Sequence, residues 1–183
     1  MAAVSRSRPR SRAATESPAV SSPEAAGRSV PWADFAAAAP SLEAFGRRRL
    51  EKRVAYLATN RSDGAPRLHP VSPFIGGGGL FVYMEPKSPK VADLRRDARY
   101  ALHCGVEDDS GGAGEFYVTG HAREVTDRRR RAEAFGFACA AGYQPMERHV
   151  LFELDAGRVL ATTYEQGRRR ESWPATTGSS KVQ

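Results

Sequence analysis

The sequence predicts a mainly β fold, an antiparallel β-barrel with peripheral helices. Six or more short segments are rich in β-branched and aromatic residues, and most of them are joined by short, glycine-containing turns. Only a few segments show helical periodicity. A doubly wound dinucleotide-binding sheet is disfavoured, because strands do not alternate with helices and no GxGxxG follows a strand.

The length of 183 residues fits one domain flanked by two tails. Residues 1–30 are mainly Ser, Pro, Ala and Arg, so they bury too little apolar surface to offset the entropy of ordering, and we predict a disordered basic tail. Residues 31–166 form the predicted barrel domain. Residues 167–183 are predicted to be a flexible C-terminal tail in which only Trp173 is suited to pack back on the domain.

Two short helices open the predicted domain, over Pro31–Ala39 and Ser41–Arg53. Ser41 is the expected N-cap of the second helix, since a hydroxyl at that position can accept a hydrogen bond from a free backbone N–H. The apolar stripe of these helices comprises Leu42, Phe45 and Leu50.

A β-hairpin follows the helices. Val54–Asn60 is the first predicted strand, and the turn residues at 62–64 lead into a second strand over Pro66–Ile75. Pro70 and Pro73 remove two backbone donors from this second strand. We therefore expect it to bulge or to lie at a sheet edge.

A tight reversal at Gly76–Gly79 leads into a third strand over Leu80–Glu85. Ser88 is the expected N-cap of a helix over Pro89–Asp97, because proline is tolerated at the first helical position.

The C-terminal half is predicted to contain strands, one helix and a final hairpin. The helix carries the run Arg128–Arg131 on its solvent face, with Phe135 and Phe137 turned inward. The predicted segments are strands Tyr100–Val106 and Glu115–Val125, helix Asp127–Ala141, and a hairpin of His149–Asp155 and Arg158–Tyr164 that turns at Ala156-Gly157.

Composition excludes several classes of function. The net charge of +7 lies in separate arginine clusters rather than in an aromatic-interleaved stripe, so nucleic-acid binding is disfavoured. Cys104 and Cys139 lack CxxC or zinc-ligand spacing, which predicts two buried thiols and no metal site. No apolar run reaches the roughly 18 residues of a membrane span, and the arginine-rich start lacks the apolar core of a secretory signal. We therefore expect a cytoplasmic protein.

Basic and hydroxyl residues cluster around the second strand and the start of the helix that follows the third strand. A helix N-terminus offers free N–H groups and a partial positive charge, so nearby cations and hydroxyls are suited to holding a phosphate. The candidate residues are Arg67, His69 and Ser72 on the strand and Lys87, Ser88 and Lys90 at the helix.

The order and spacing of several motifs resemble the pyridoxamine 5'-phosphate oxidase-like family of flavin-binding split β-barrels. The resemblance covers about Arg53 to Tyr164. The motifs are Leu57-Ala58-Thr59, Asp63-Gly64-x-Pro66-Arg67-x-His69-Pro70-Val71, Leu80-Phe81-Val82-Tyr83, and Ser88-Pro89-Lys90-x3-Leu94-Arg95-x3-Arg99-Tyr100-Ala101-Leu102-His103.

The resemblance implies a split β-barrel that pairs as a homodimer and binds FMN, or the related deazaflavin coenzyme, in clefts at the subunit interface. His69 is expected either in the cofactor cleft or bonded to a backbone carbonyl. By the same resemblance, the cofactor phosphate would be held by Arg67, Ser72, Lys87, Ser88 and Lys90, and Val71, Tyr83 and Met84 would border the ring or the ribityl chain.

The sequence departs from the oxidases that make pyridoxal phosphate. Ser72 stands where those enzymes carry a lysine, and their substrate-binding arginine and histidine near the C-terminus have no match here. The oxidation of pyridoxamine phosphate is therefore disfavoured.

The expected function is a flavin- or deazaflavin-dependent oxidoreductase that transfers a hydride between the bound cofactor and a small-molecule substrate. The cofactor performs this chemistry, so no side chain is singled out as catalytic. The sequence does not decide between the two coenzymes, since both carry a phosphate and a similar tricyclic ring. The alternatives are a non-catalytic flavin-binding or sensing protein and, less favoured, a basic accessory protein that binds nucleic acid. Hydrolysis has no support, because no nucleophile elbow or HExxH is found.

Overall fold

The computed structural model describes residues 28–165 and 167–174, so most of the predicted N-terminal tail lies outside the described residues. Within them the chain forms an antiparallel sheet of eight strands, curled into a half-barrel, with four helices. The predicted mainly β split barrel is thereby confirmed. Helices α1 to α4 span Trp32–Ala38, Pro40–Leu50, Pro89–Arg96 and Arg128–Ala140; strands β1 to β8 span Ala55–Asn60, Pro66–Val71, Phe74–Gly76, Gly79–Met84, Arg99–Cys104, Glu115–Glu124, Val150–Thr163 and Arg169–Trp173.

The strand order is β2-β1-β5-β6-β7-β4-β3, with β8 beside β7. Strand β2 lies at an edge, which is one of the two outcomes that its prolines predict, because a residue without an N–H cannot donate a hydrogen bond in a central ladder. The single strand expected over Pro66–Ile75 is divided, however, since β2 ends at Val71 and β3 begins at Phe74. Pro73 lies in the break.

The predicted glycine reversal is confirmed as the turn between β3 and β4. Gly77 and Gly78 have φ angles of 53° and 73°, a region that side chains disfavour. The ring of Phe137 packs directly over this turn, since a Cβ added to Gly77 would lie 2.4 Å from it.

The predicted final hairpin is wrong. Strand β7 runs without a turn through Ala156 and Gly157, and both of its halves pair with β6. A register shift between Thr119 and Gly120 in β6 accommodates the irregularity. Ala156 also exchanges two backbone hydrogen bonds of 2.8 Å with Val30, so the last residue of the predicted N-terminal tail joins the sheet.

The flexible C-terminal tail is also corrected in part. Strand β8 pairs with the second half of β7, and Trp173 packs against Phe35 with ring centroids 5.3 Å apart. Burial of this indole explains why a segment otherwise rich in arginine is ordered against the sheet. Residues 175–183 lie outside the described part of the chain.

The helix ends differ from prediction in three places. Ala39 rather than Ser41 precedes α2, whose first residue is Pro40. Ser88 occupies the N-cap of α3, but its side chain makes no capping hydrogen bond. Asp127 caps α4 by accepting a hydrogen bond from the Arg130 N–H at 2.8 Å. The predicted apolar stripe of α1 and α2 is confirmed, because Leu42 and Leu50 are fully buried and Phe45 packs on the core.

The inward face of α4 was predicted wrongly. Phe135 and Phe137 are 45% and 41% exposed, and the buried residues are Ala134 and Ala138. Small side chains allow the helix to lie close to β3, so the large rings are displaced to its flanks. Cys139 is likewise exposed, whereas Cys104 is buried; both thiols are free.

Strand β4 separates two hydrophobic clusters. Leu80, Val82 and Met84 point into the main core inside the barrel. Phe81 and Tyr83 point to the opposite face, toward a smaller cluster beneath α4. None of the helices in residues 28–165 is long and apolar enough to cross a membrane.

Candidate functional site

Alternate side chains of the edge strand β2 face α3 and the barrel interior. Arg67, His69 and Val71 are opposite Thr59, Leu57 and Ala55 of β1, all three of which are buried. Because side chains alternate along a strand, Leu68 and Pro70 point to the outer face. The period of the strand thus places three predicted site residues together on one face.

Arg67 is fixed by a buried carboxylate of α3. Its Nε donates to Asp93 Oδ2 at 2.7 Å, and the Thr59 hydroxyl donates to the same oxygen at 3.0 Å. The other oxygen of Asp93 lies 3.4 Å from Arg96 Nη2. Burial alone would raise the pKa of Asp93, but the hydrogen bonds from Arg67 and Thr59 outweigh it and hold the pKa below its ordinary value.

The first turn of α3 carries the other half of the basic cluster. Lys90 Nζ donates to Ser88 Oγ at 3.0 Å, and burial lowers the pKa of Lys90. Lys90 stands one helical turn before Asp93, so the ion pair of Asp93 with Arg67 brings β2 against the helix that carries Lys90. Lys87 is exposed at the entrance of this helix.

His69 has an unusual buried nitrogen. Its Nδ1 is shielded from solvent, yet it has no hydrogen-bond partner among the described residues. A buried polar atom without a partner costs about 1–3 kcal/mol, so such atoms are uncommon unless a ligand completes them. This nitrogen lies two residues from Arg67 on the same face of β2.

The predicted ring-bordering residues lie apart from one another. Val71 and Met84 are buried in the main core, whereas Tyr83 stacks on Phe74 in the smaller cluster, with centroids 5.6 Å apart. Burial raises the pKa of Tyr83. Tyr83 also lines a cavity of about 430 Å³ with Phe135 and Met146. A ring bound on one face of β4 would therefore contact either Tyr83 or Met84, but not both.

Ser72 is exposed beyond the end of β2. It lines a separate cavity of about 360 Å³ with Lys52, Arg53 and Tyr143. The structure thus places Arg67 and His69 on one face of β2 and Ser88 and Lys90 at the start of α3, and the ion pair of Arg67 with Asp93 joins these two elements. Ser72 and Tyr83 line two other cavities.

Sequence reasoning missed Asp93, Thr59 and Arg96, which position Arg67. A signal for Asp93 was present, since this carboxylate lies between the core residues Val91 and Leu94 of a short helix. A charge on the buried face of a helix requires a partner. Two cations, Arg67 and Arg96, pair with this one carboxylate, and Lys90 adds a third cation to the same helix, so α3 and β2 carry an excess of positive charge that is suited to an anion. No group of three or more metal-ligating side chains occurs in the described ranges.

Comparison with known proteins identifies the family. The sequence model described as "Pyridoxamine 5'-phosphate oxidase" matches residues 42–163, more than half of the chain. The protein therefore belongs to the pyridoxamine 5'-phosphate oxidase family, as the resemblance implied. No curated protein matches the sequence.

Solved structures share the fold at low sequence identity. A conserved hypothetical protein from Mycobacterium tuberculosis is 21% identical, with 64% of this chain and 80% of that chain covered and a TM-score of 0.53. A heme binding protein from Mycobacterium smegmatis is 20% identical, with 84% and 59% covered and a TM-score of 0.54, so the match spans under two thirds of that protein. A Listeria innocua protein, provisionally named a pyridoxamine 5'-phosphate oxidase, is 15% identical, with 66% and 94% covered and a TM-score of 0.53. At these identities the likeness concerns the fold alone.

Proposed function

We propose that this protein is an FMN- or deazaflavin-dependent oxidoreductase acting on a small-molecule substrate. The observation that carries the proposal is the position of Arg67, which the buried Asp93 holds against the helix whose first turn presents Ser88 and Lys90. Family membership supports a phosphate-bearing redox cofactor at this place.

The residues of the cluster fit the phosphate of such a cofactor. Nε of Arg67 is engaged by Asp93, while its two terminal nitrogens form no hydrogen bond within the described part of the chain and are available to phosphate oxygens. The ammonium of Lys90 supplies a second cation, and the α3 N-terminus supplies free N–H groups. The partnerless Nδ1 of His69 fits a polar group of the phosphate or the ribityl chain.

In this proposal the side chains around the cofactor bind it and position it. Arg67 and Lys90 neutralise the phosphate, and Asp93 keeps Arg67 in place. The bound tricyclic ring supplies hydride transfer, which needs no obligatory side-chain acid or base. The apolar wall of the barrel excludes water from the ring, and this matches the absence of an outstanding catalytic residue in the sequence.

A second copy of this chain is the proposed partner. The outer face of β1, β2 and β5 is unusually apolar for a free surface, because Leu68 is 64% exposed and Tyr56 is 44% exposed. The register places Tyr56 beside Pro70 and His103, and Leu68 beside Ala58, so these side chains form one continuous patch. An exposed apolar patch of this kind is typical of a protein interface. We propose that it pairs with the same face of a second subunit.

Cofactor titration tests the proposal. The full-length protein is titrated separately with FMN and with the deazaflavin coenzyme, and binding is followed by the absorbance and fluorescence of the ring. Lys90→Ala should weaken binding at least about tenfold, because it removes one charge-assisted hydrogen bond to the phosphate. Arg128→Ala, which removes an exposed cation from α4, is the matched control and should leave the affinity unchanged.

Failure of both coenzymes to bind, or equal affinities for the Lys90→Ala variant and the parent, would contradict the proposed site. Turnover separates the enzyme from a non-catalytic flavin-binding protein. A coenzyme that binds but is never reoxidised by any added acceptor would favour the binding protein.

A further inference from the structure

A second basic site lies between α2 and β8. A cavity of about 460 Å³ opens there, and Arg48, Arg169 and Arg170 are among its lining residues. It shares no residue with the cluster of Arg67 and Lys90, which lies at β2 and α3.

The arginines of this cavity differ from their neighbours in lacking acidic partners. Arg47 pairs with Glu43 and Glu51 at 2.7 Å, and the buried Arg49 pairs with Glu107 at 3.3 Å. Arg48, between them, has no ion pair with a described residue; its guanidinium lies 5.7 Å from the centroid of the Phe45 ring.

The β8 side of the cavity shows the same lack of acidic partners. Arg169 and Arg170 form no ion pair within residues 28–165 and 167–174, although Glu171 also lines the cavity. Arg169 pairs in register with Thr163 of β7, another lining residue. Because side chains alternate along β8, Arg169 and Glu171 share the face of Thr163 and Ala161, whereas Arg170 points to the opposite face. The guanidinium groups of Arg48 and Arg169, with one carboxylate, leave an excess of positive charge around the concave space.

The remaining lining residues indicate the kind of anion. Ser41, the second residue of α2, adds an exposed hydroxyl, and Phe45 with Ala161 provides an apolar surface. Arginine is suited to phosphate because its planar fork donates two parallel hydrogen bonds. Converging charges in a cleft favour a small ligand, whereas nucleic acid is typically bound by an extended basic stripe.

We infer that the cavity between α2 and β8 binds a phosphorylated small molecule with at least two negative charges, such as a nucleoside diphosphate. Its phosphates contact Arg48 and Arg169, and its ring covers Phe45. This is an accessory site, separate from the redox cofactor.

The test uses inorganic pyrophosphate and ADP as probes of the full-length protein, with binding measured by calorimetry at two salt concentrations. The double variant Arg48→Gln, Arg169→Gln should weaken binding of both probes at least tenfold. The control pair, Arg128→Gln with Arg158→Gln, removes the same charge from exposed positions outside the cavity and should have no effect. Phe45→Leu, which keeps an apolar side chain against the core but removes the aromatic ring, should weaken ADP more than pyrophosphate.

FMN titration of the same variants tests whether the sites are separate. FMN affinity should be unchanged by Arg48→Gln with Arg169→Gln, and thermal melting should show that this variant folds. The inference is overturned if pyrophosphate does not bind the parent at millimolar concentration, if both double variants weaken binding equally, or if FMN affinity falls with that of pyrophosphate. The inference is also overturned if an RNA or DNA oligonucleotide binds more tightly than ADP and both double variants lose this binding equally.

Discussion

Asp93 is the residue that joins the predicted strand and helix into one site. It is 4% exposed, accepts hydrogen bonds from Arg67 and Thr59, and forms an ion pair with Arg96. Its negative charge is therefore compensated by neighbouring cations inside the protein. The helix around it could be predicted from the sequence, but its partner lies 26 positions away on another element. Local patterns do not contain such pairings.

Asp93→Asn should lower the free energy of unfolding at pH 7 by about 1–3 kcal/mol, because it removes a carboxylate bonded to two cations. The folded-state pKa of Asp93 is depressed, so its contribution is complete above the unfolded pKa of about 3.9 and is lost as the pH falls through the folded value. Urea unfolding at pH 7 and at pH 3 should therefore show a smaller difference between variant and parent at pH 3. If the difference in unfolding free energy between variant and parent does not depend on pH, the charge of Asp93 does not contribute to stability.

His69 should show opposite effects on stability and binding. His69→Leu removes a buried nitrogen that lacks a partner, so the unfolding free energy of the cofactor-free protein should stay equal or rise by up to about 1 kcal/mol. Cofactor affinity should fall, because the ligand loses a polar contact.

His103→Leu is the contrasting variant. His103 Nδ1 donates to the Cys104 carbonyl at 2.6 Å, so its loss should destabilise the protein. Equal destabilisation by the two substitutions in urea unfolding would show that His69 is an ordinary structural histidine.

At the scale of elements, the course of β7 follows from its pairing with β6 and not from the turn-like composition of its middle residues. Ala156-Gly157 has the composition of a turn, yet the segments on both sides of it pair with β6, so the strand continues. The division of the predicted Pro66–Ile75 strand, in contrast, follows from Pro73, a local cause. The limits set by proline act within a few residues and were predicted reliably, whereas glycine predicted the reversal before β4 correctly and the turn at Gly157 wrongly.

Gly120→Ala should be strongly destabilising. An added Cβ would lie 1.9 Å from the Asp155 carbonyl oxygen, which is backbone and cannot move without disturbing the β6–β7 pairing. We expect a loss of more than about 2 kcal/mol in urea unfolding. Gly136→Ala in α4 is the matched control, because nothing lies within 4 Å of its Cβ and alanine favours a helix by up to about 1 kcal/mol. Similar effects of the two substitutions would argue against the observed close approach.

At the scale of the whole molecule, the exposed face of β1 and β2 gives a prediction about assembly. Sedimentation or light scattering should give twice the chain mass of 19.9 kDa. Leu68→Glu should reduce the measured mass to that of one chain, because burying a carboxylate in an apolar interface is unfavourable.

Phe135→Glu provides the control for this interface. It introduces the same charge at an exposed apolar residue of α4, outside the proposed face, and should leave the mass unchanged. A monomeric parent protein, or dissociation caused equally by both substitutions, would contradict the proposed pairing.

The sequence alone determined the β-rich class, the exclusion of β2 from a regular central ladder, the glycine reversal before β4 and the basic residues at the start of α3. All of these follow from backbone limits and side-chain chemistry that act within a few residues. Only the tertiary structure decided that Asp93 holds Arg67, that His69 Nδ1 lacks a partner, that β7 continues through Ala156 and that β8 adds a strand with its own arginine cavity. These features depend on pairing between segments distant along the chain, where the free energy comes from packing and burial that no local pattern records.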